Sequence, residues 1–313
     1  MTITQLHYVL AVAEHKNFTK AAQKVFVTQP TLSMQIQKLE DELDILIFDR
    51  SKKPIELTEV GRKIVSQARN IVNESNRIKD IVDQEKGFIG GEFKLGIIPT
   101  VMPTLLPMFL HNFLKKYSKV KLTIEEIHTE AMIEKLEEGH LDAGIAATPL
   151  NNDLIKERVL YYEPFVSYIP YNHTLQKLDK LTVEDLDVNE ILLLQDGHCF
   201  KDSVINLCKA SKDYLDNNMR LQSGSFETLI KLADEGLGMT LLPYLHTLDL
   251  NGDRSKNLKM FEEPTPAREV SLIYHRSELK MQIIEALQSV IAGVVKGAIA
   301  FQNVQIISPK PAK

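Results

Sequence analysis

Cys199 and Cys208, the only two cysteines among 313 residues, lie nine positions apart, and His198 directly precedes the first. The apolar run Glu190 to Asp196 predicts a buried strand, with Cys199 in the turn after it, just outside a helix that Asp202 or Ser203 can cap. A thiol near a helix N-terminus, beside an imidazole, has the usual conditions for a lowered pKa. Its thiolate attacks peroxide, the product is a sulfenic acid, and a second thiol within reach condenses with it. Cys208 falls among Val204, Ile205 and Leu207 on the inward face, which predicts a protected thiol. By helical rise the two Cα atoms stand roughly 10 to 14 Å apart, against a limit of about 7 Å for a disulfide. The bond therefore requires the segment between them to unwind. Closing that loop holds the altered form by about 2.7 kcal/mol, enough to bias a two-state domain and too little to unfold it. On the residues alone, two buried structural cysteines that happen to be neighbours remain a competing reading.

The elements around this segment form an alternating series. EFKLGIIPT, KLTIEEIHT and LDAGIAATP read as strands, separated by the helices TLLPMFLHNFLKKY and AMIEKLEEG. Such a β-α-β-α-β run gathers ligands at the strand carboxyl ends, where Thr100 and Thr129 face one crevice. A second α/β unit starts near Val166. REVSLIYH then gives a late strand and SELKMQIIEALQSVIAGV a final helix, so two lobes face each other over a cleft; residues 301 to 313 read as a loose tail. There is no glycine-rich phosphate loop and no metal-ligand spacing, and the other histidines, His128 among them, stand singly. No cofactor is expected.

The first ninety residues have a different pattern. Apolar spacing predicts helices from about Gln5 to Glu14 and from Phe18, then a third that Thr28 caps, with Pro30 in its first turn. Gln29, Thr31, Ser33, Gln35, Gln37 and Lys38 on that third helix suit base edges and phosphates of a major groove. Around Lys52, Lys53 and Pro54 a small basic wing follows, in which Arg50 and the lysines contact phosphate. Ile64, Ala68, Ile71, Ser75, Ile78 and Val82 make a heptad seam on a long helix to about Lys86, which predicts a dimer and an operator with dyad symmetry. Packing of that seam on its own domain is the alternative. GFIGG, 87 to 91, marks a boundary.

Charge supports this division. The net charge is -5, yet residues 1 to 90 carry 13 basic against 12 acidic side chains, and Lys16 to Leu39 holds four lysines and no acid. A local basic patch on an otherwise acidic chain suggests a confined polyanion contact. The N-terminus lacks a signal-peptide pattern and no apolar run approaches membrane length, which predicts a cytoplasmic chain without a membrane partner.

IFDR, TEVG, TQPTLSMQIQKLEDELDILIF and the domain order resemble the LysR-type transcriptional regulators over essentially the whole chain. HCFKDSVINLC and GSFETLIKLADEGLGMTLLP are similar to the peroxide-sensing members of that family. The resemblance implies an α/β chain: an N-terminal winged helix-turn-helix over 1–58, a long dimerisation linker helix over 59–88, and a two-lobed, periplasmic-binding-protein-like regulatory domain over 89–301. Lobe I covers about 92–163 and 268–301, lobe II about 164–267, and 302–313 form the tail. It implies that Cys199 attacks peroxide and Cys208 resolves it, with His198 in the pocket and Asp202 supporting local hydrogen bonds. Thr100 and Thr129 then orient the peroxide, and Arg268, with Arg276 as competitor, stabilises the thiolate. The implied partners are double-stranded promoter DNA, RNA polymerase, a glutaredoxin or thioredoxin-like reductant, and copies of the chain in a homodimer and homotetramer. Two alternatives stand beside this sensor: a LysR-type regulator binding a small metabolite between the lobes, and a thiol peroxidase with an appended DNA-binding module.

Overall fold

The computed structural model describes residues 1–85, 89–208, 223–299 and 303–309. It divides into two compact units, Met1–Phe88 and Ile89–Lys313.

The first unit is built from α1 (Ile3–His15), α2 (Phe18–Lys24), α3 (Gln29–Leu43), the two-stranded wing β1 (Phe48–Asp49) and β2 (Glu56–Leu57), and α4 (Glu59–Glu85). Local chemistry sets the helix starts. Thr2 and Gln5 form a reciprocal capping box, Asn17 caps α2, and Thr28 caps α3 ahead of Pro30, whose missing N–H does no harm in a first turn. Leu32, Ile36 and Leu39 turn one face of α3 into a core shared with Leu6, Val9 and Val12 of α1. Gly61 lets α4 approach the wing, because a Cβ there would stand 2.0 Å from the Ile47 carbonyl oxygen.

The heptad seam of α4 divides in two. Val65, Ala68 and Val72 are buried in this unit's own core and Ile64 and Ile71 pack against it, whereas Ile78, Ile81 and Val82 are exposed, Ile78 at 68%. Ala68 is thus a core residue rather than a dimer contact. The predicted extension to Lys86, and Gly87 of the boundary, fall outside the described residues.

Among its described residues the second unit holds a nine-stranded sheet. Its first part runs β3 (Gly91–Ile97), α5 (Met102–Lys116), β4 (Val120–Glu126), α6 (Thr129–Glu137), β5 (Ala143–Thr148), with β3 parallel to both β4 and β5. Then come β6 (Ile155–Tyr168), β7 (Lys180–Leu181), α7 (Cys199–Leu207), α8 (Phe226–Asp234), β8 (Thr240–Pro243), α9 (Tyr244–Thr247), α10 (Asp253–Lys256) and β9 (Leu258–Phe261). β10 (Thr265–His275) returns between β5 and β6, antiparallel to both, and α11 (Met281–Val295) and β11 (Val304–Ile306) complete the unit. Two apolar cores result. One gathers β3, α5, β5 and α11 side chains, the other Phe165, Tyr168, Phe200, Phe226 and their neighbours, and the long β6 contributes to both.

Three expectations change. Glu190 to Asp196 is not a strand: a single bridge joins Ile191 to Met239, and the backbone turns away at Gly197, whose φ is +89°. Leu194 is buried in the second core and Leu192 and Leu193 pack against it, since apolar packing does not require a sheet. Cys199 is the first residue of α7 rather than a residue outside it, with His198 rather than Asp202 or Ser203 at the N-cap, and the Ser203 hydroxyl donates to the Cys199 carbonyl at 3.1 Å. Finally, 303–309 are not loose: β11 adds to β10 in parallel, while the tail's other residues lie outside the described set.

Candidate functional site

Two helices begin in the same way and meet. His128 precedes Thr129 at the start of α6, and His198 precedes Cys199 at the start of α7. The two imidazoles stack edge to face with centroids 4.6 Å apart, and His128 Nδ1 lies 3.1 Å from the Gly197 carbonyl oxygen. The Thr129 hydroxyl is buried and lacks a well-aligned partner, yet it is near enough to the Cys199 thiol to favour its ionised form, as does the Ala147 N–H at the end of β5. Cys199 is enclosed by protein on most sides while keeping some solvent contact. It packs against the first core, although Phe200, Val204 and Leu207 of the same helix belong to the second.

Beneath this junction lies a buried ion pair. Arg268 on β10 and Glu163 on β6 face each other in register, each 1% exposed. Arg268 Nε and Nη2 donate to Glu163 Oε2 at 2.9 and 2.7 Å, and Glu163 Oε1 accepts the Leu245 N–H at 3.0 Å. Arg268 Nη1 donates to the Thr100 hydroxyl at 2.9 Å and Nη2 to its carbonyl at 3.1 Å, so the Thr100 O–H keeps its own proton for a ligand. The guanidinium also lies over the Phe200 ring, 5.2 Å from its centroid. Thr100, Thr129, Arg268, His198 and Cys199 are therefore brought together. Arg276 is not, since it is exposed near the far end of β10. Asp202 is exposed on α7, and its charge opposes ionisation of the thiol.

The expected lowering of the Cys199 pKa does not hold. Burial pushes the thiol up, and Arg268, Thr129 and the Ala147 N–H pull against it. The arginine's charge is largely compensated by Glu163. Burial and the neighbouring His128 lower the His198 pKa, so its imidazole is neutral near pH 7 and lends no positive charge. Cys208, the C-cap of α7, is pushed up to about 11 by burial and by Asp187. Both thiols are free, and a nine-residue helical rise separates their Cα atoms by about 13 Å.

On the first unit, Gln29, Pro30, Thr31, Gln37 and Lys38 are exposed along α3, Ser33 is half-buried, and Lys52, Lys53 and Pro54 are exposed at the wing. The Thr28 and Thr31 hydroxyls bond each other at 2.8 Å, and Gln35 accepts from Gln5, so these three side chains are partly engaged within the unit. Arg50 differs most from expectation. Its Nη2 donates to the buried Glu40 at 2.7 Å, and that carboxylate also accepts the Ile47 and Phe48 N–H groups, so Arg50 fixes the wing to α3.

Sequence reasoning missed Glu163, His128 and Phe200. The repeated pattern of a histidine followed by a small nucleophilic or hydroxyl residue at a helix start, His128-Thr129 and His198-Cys199, was the available signal for His128.

Comparison with known proteins matches residues 3–62 to the bacterial regulatory helix-turn-helix protein, lysR family, and residues 86–294 to the LysR substrate binding domain. A hydrogen peroxide-inducible genes activator of Pectobacterium carotovorum is 32% identical over 277 residues, 88% of this chain and 90% of the relative. A full-length OxyR variant from Pseudomonas aeruginosa superposes with a TM-score of 0.76 at 32% identity, covering 93% of this chain and 98% of that one. A hydrogen peroxide-bound OxyR mutant from Corynebacterium glutamicum gives 0.62 at 27% identity, covering 97% and 98%. Among the described residues no helix is long and apolar enough to cross a membrane, and no cluster of His, Cys, Asp and Glu could hold a metal.

Proposed function

This chain belongs to the LysR family of bacterial regulators, and from that membership and the surroundings of Cys199 we propose that it is a DNA-binding transcription regulator that senses hydrogen peroxide and activates antioxidant genes. The observation that carries the reading is a thiol at the start of α7, flanked by the Thr129 hydroxyl and the Arg268 guanidinium, with the second thiol at the other end of the same helix.

Thr100 and Thr129 orient the peroxide, and Arg268 favours negative charge on sulfur and on the departing oxygen. The Cys199 thiolate attacks one peroxide oxygen, the O–O bond breaks, and the released hydroxide takes a proton to leave as water. The sulfur becomes a sulfenic acid. Cys208 then attacks that sulfur, the S–O bond breaks, a second water leaves, and a disulfide remains. Both electrons come from the thiols. The helix joining them must unwind, because its ends stand well beyond the bonding limit of about 7 Å. The remodelled second unit resets the spacing of DNA-binding units paired through the exposed half of α4 in a homodimer, two of which form a tetramer. Operator contacts then change and RNA polymerase is recruited. The protein works in the cytoplasm, reacts once per oxidation rather than turning over as an enzyme, and is reset by a glutaredoxin or thioredoxin-like reductant.

Equimolar hydrogen peroxide added to the reduced protein should remove both thiols with a mass loss of about two hydrogens. Cys199→Ser should abolish both this loss and peroxide-dependent transcription, whereas Cys208→Ser should gain one oxygen at Cys199 and fail to hold the response. Peroxide-dependent transcription persisting in Cys199→Ser, or sustained rapid peroxide consumption with reductant, would overturn the reading.

A further inference from the structure

Phe26 sits where a bulky side chain is least at home. It follows α2 at the position that ends a helix in left-handed backbone, with φ +56°, its N–H donating to Gln23 O at 3.3 Å and the next N–H, of Val27, donating to Ala22 O at 3.0 Å. That pair of bonds is the usual helix stop, and Gly or Asn fills its left-handed position at little steric cost. Here a phenylalanine fills it and is 95% exposed, two residues before the cap of α3. Val27 beside it packs into the core, so the turn is anchored while the ring stands free.

Met34 is the second anomaly. Leu32, Ile36 and Leu39 face inward, which puts Pro30, Met34 and Gln37, spaced four and three apart, on the opposite face, where Met34 is 61% exposed. Two large apolar side chains are therefore exposed around the start of α3, Phe26 in the turn before it and Met34 on the helix face that also carries Pro30 and Gln37. The occupant is anionic by charge complementarity, since Lys16 to Leu39 holds four lysines and no acid. In the major groove of duplex DNA the base edges are polar with one exception, the thymine 5-methyl group.

We infer that Phe26 and Met34 read thymine methyl groups at the edge of the recognition sequence, supplying a specificity contact that the polar side chains of α3 do not. The inference deepens the DNA-binding reading and rests on it. Phe26 contacts the groove wall from the turn and Met34 from the helix, so each answers to a different thymine.

The test begins with a binding site that the full-length protein selects from random-sequence duplexes; failure to enrich any site would sink the DNA-binding reading itself. Each thymine of the selected site is then replaced by deoxyuridine, which deletes only the methyl. Wild-type binding should weaken about three- to fivefold at one or two thymines, the effect of withdrawing one buried methyl group. Phe26→Asn should abolish the penalty at one of them and Met34→Ala at the other, with the salt dependence of binding unchanged. Asn tolerates left-handed backbone, so Phe26→Asn should melt no lower than wild type, which separates loss of the contact from loss of the fold. Equal uridine penalties in wild type and both variants would overturn the inference. So would uridine insensitivity at every position, including the case in which Phe26→Asn instead abolishes self-association.

Discussion

The two ends of α7 are held by different forces, and the thiols at those ends pack on different cores. At its start, Cys199 packs on the first core, beside Thr129, the Ala147 N–H and Arg268, and His198 stacks on His128. Phe200 adds ring contacts to Phe165 and Phe226 at 5.1 and 5.0 Å. At its end, Cys208 packs on the second core, Leu207 is buried, and the Asn206 amide donates to the Ser308 carbonyl at 2.9 Å. The start is therefore tied by charge, stacking and hydroxyl contacts. The end depends on apolar burial and one neutral hydrogen bond worth about 0.5–1.5 kcal/mol. When a disulfide pulls the two together, the end should be the part that travels. On the proposed chemistry, Cys199 should then stay in place while Cys208 moves.

The sharpest way to break this contrast is to remove the charge at the start. Arg268→Met alone would strand Glu163 as a lone buried carboxylate, which costs about 3–5 kcal/mol, so the pair is changed together, Arg268→Met with Glu163→Leu. The second-order rate of Cys199 oxidation by hydrogen peroxide should fall roughly 100-fold, the usual scale for losing one preorganised donor to a developing negative charge. Thiol alkylation of Cys208 should be unaffected. An unchanged peroxide rate would mean that the start of the helix does not tune its sulfur.

Acidity tests the two ends next. Burial holds Cys199 above the ordinary thiol range, so at neutral pH only a minor fraction is thiolate, and that fraction rises as pH climbs toward the pKa. The peroxide rate should therefore increase about tenfold per pH unit from pH 7 to pH 8. Cys208, at about 11, should continue to gain reactivity with an alkylating reagent well above pH 9 in the Cys199→Ser variant. A flat peroxide profile across pH 6 to 9 would show Cys199 already ionised, and the compensation of Arg268 by Glu163 would be the wrong account of its acidity.

What could be read from sequence was what is local. Thr28 with Pro30 acts within one turn of chain, so residue types alone located the start of α3, whereas the start of α7 fell three residues earlier than the capping candidates Asp202 and Ser203 suggested. What could not be read depends on partners far along the chain. Glu163 lies 105 residues from Arg268, and without it the arginine looks like an uncompensated charge that should lower the thiol pKa. His128 looks solitary until α6 and α7 meet. Heptad spacing cannot distinguish a seam facing another copy from one facing its own core, and α4 divides along it, with Ala68 buried in its own unit and Ile78 exposed. The leucines of 192–194 satisfy a strand pattern, yet only the fold determines whether a ladder partner is present.

The smallest expected effect tests the end of the helix, and the residues just after β11 explain why it matters. Ser308 accepts the Asn206 amide, while its neighbour Ile307 donates its N–H to the Ala267 carbonyl at 2.8 Å, one residue from Arg268. The two residues that follow β11 thus brace both the end of α7 and the strand that carries Arg268. Asn206→Ala removes only the first brace. It destabilises the dithiol form, in which that bond exists, without affecting a disulfide form in which the end of the helix has left. The dithiol–disulfide equilibrium should shift about two- to tenfold toward the disulfide, a fall in midpoint potential of roughly 10–30 mV for a two-electron couple. Titration of the full-length protein against glutathione buffers measures it. An unchanged or raised potential would mean that the Asn206–Ser308 bond survives oxidation, and that the end of α7 is not the part that moves.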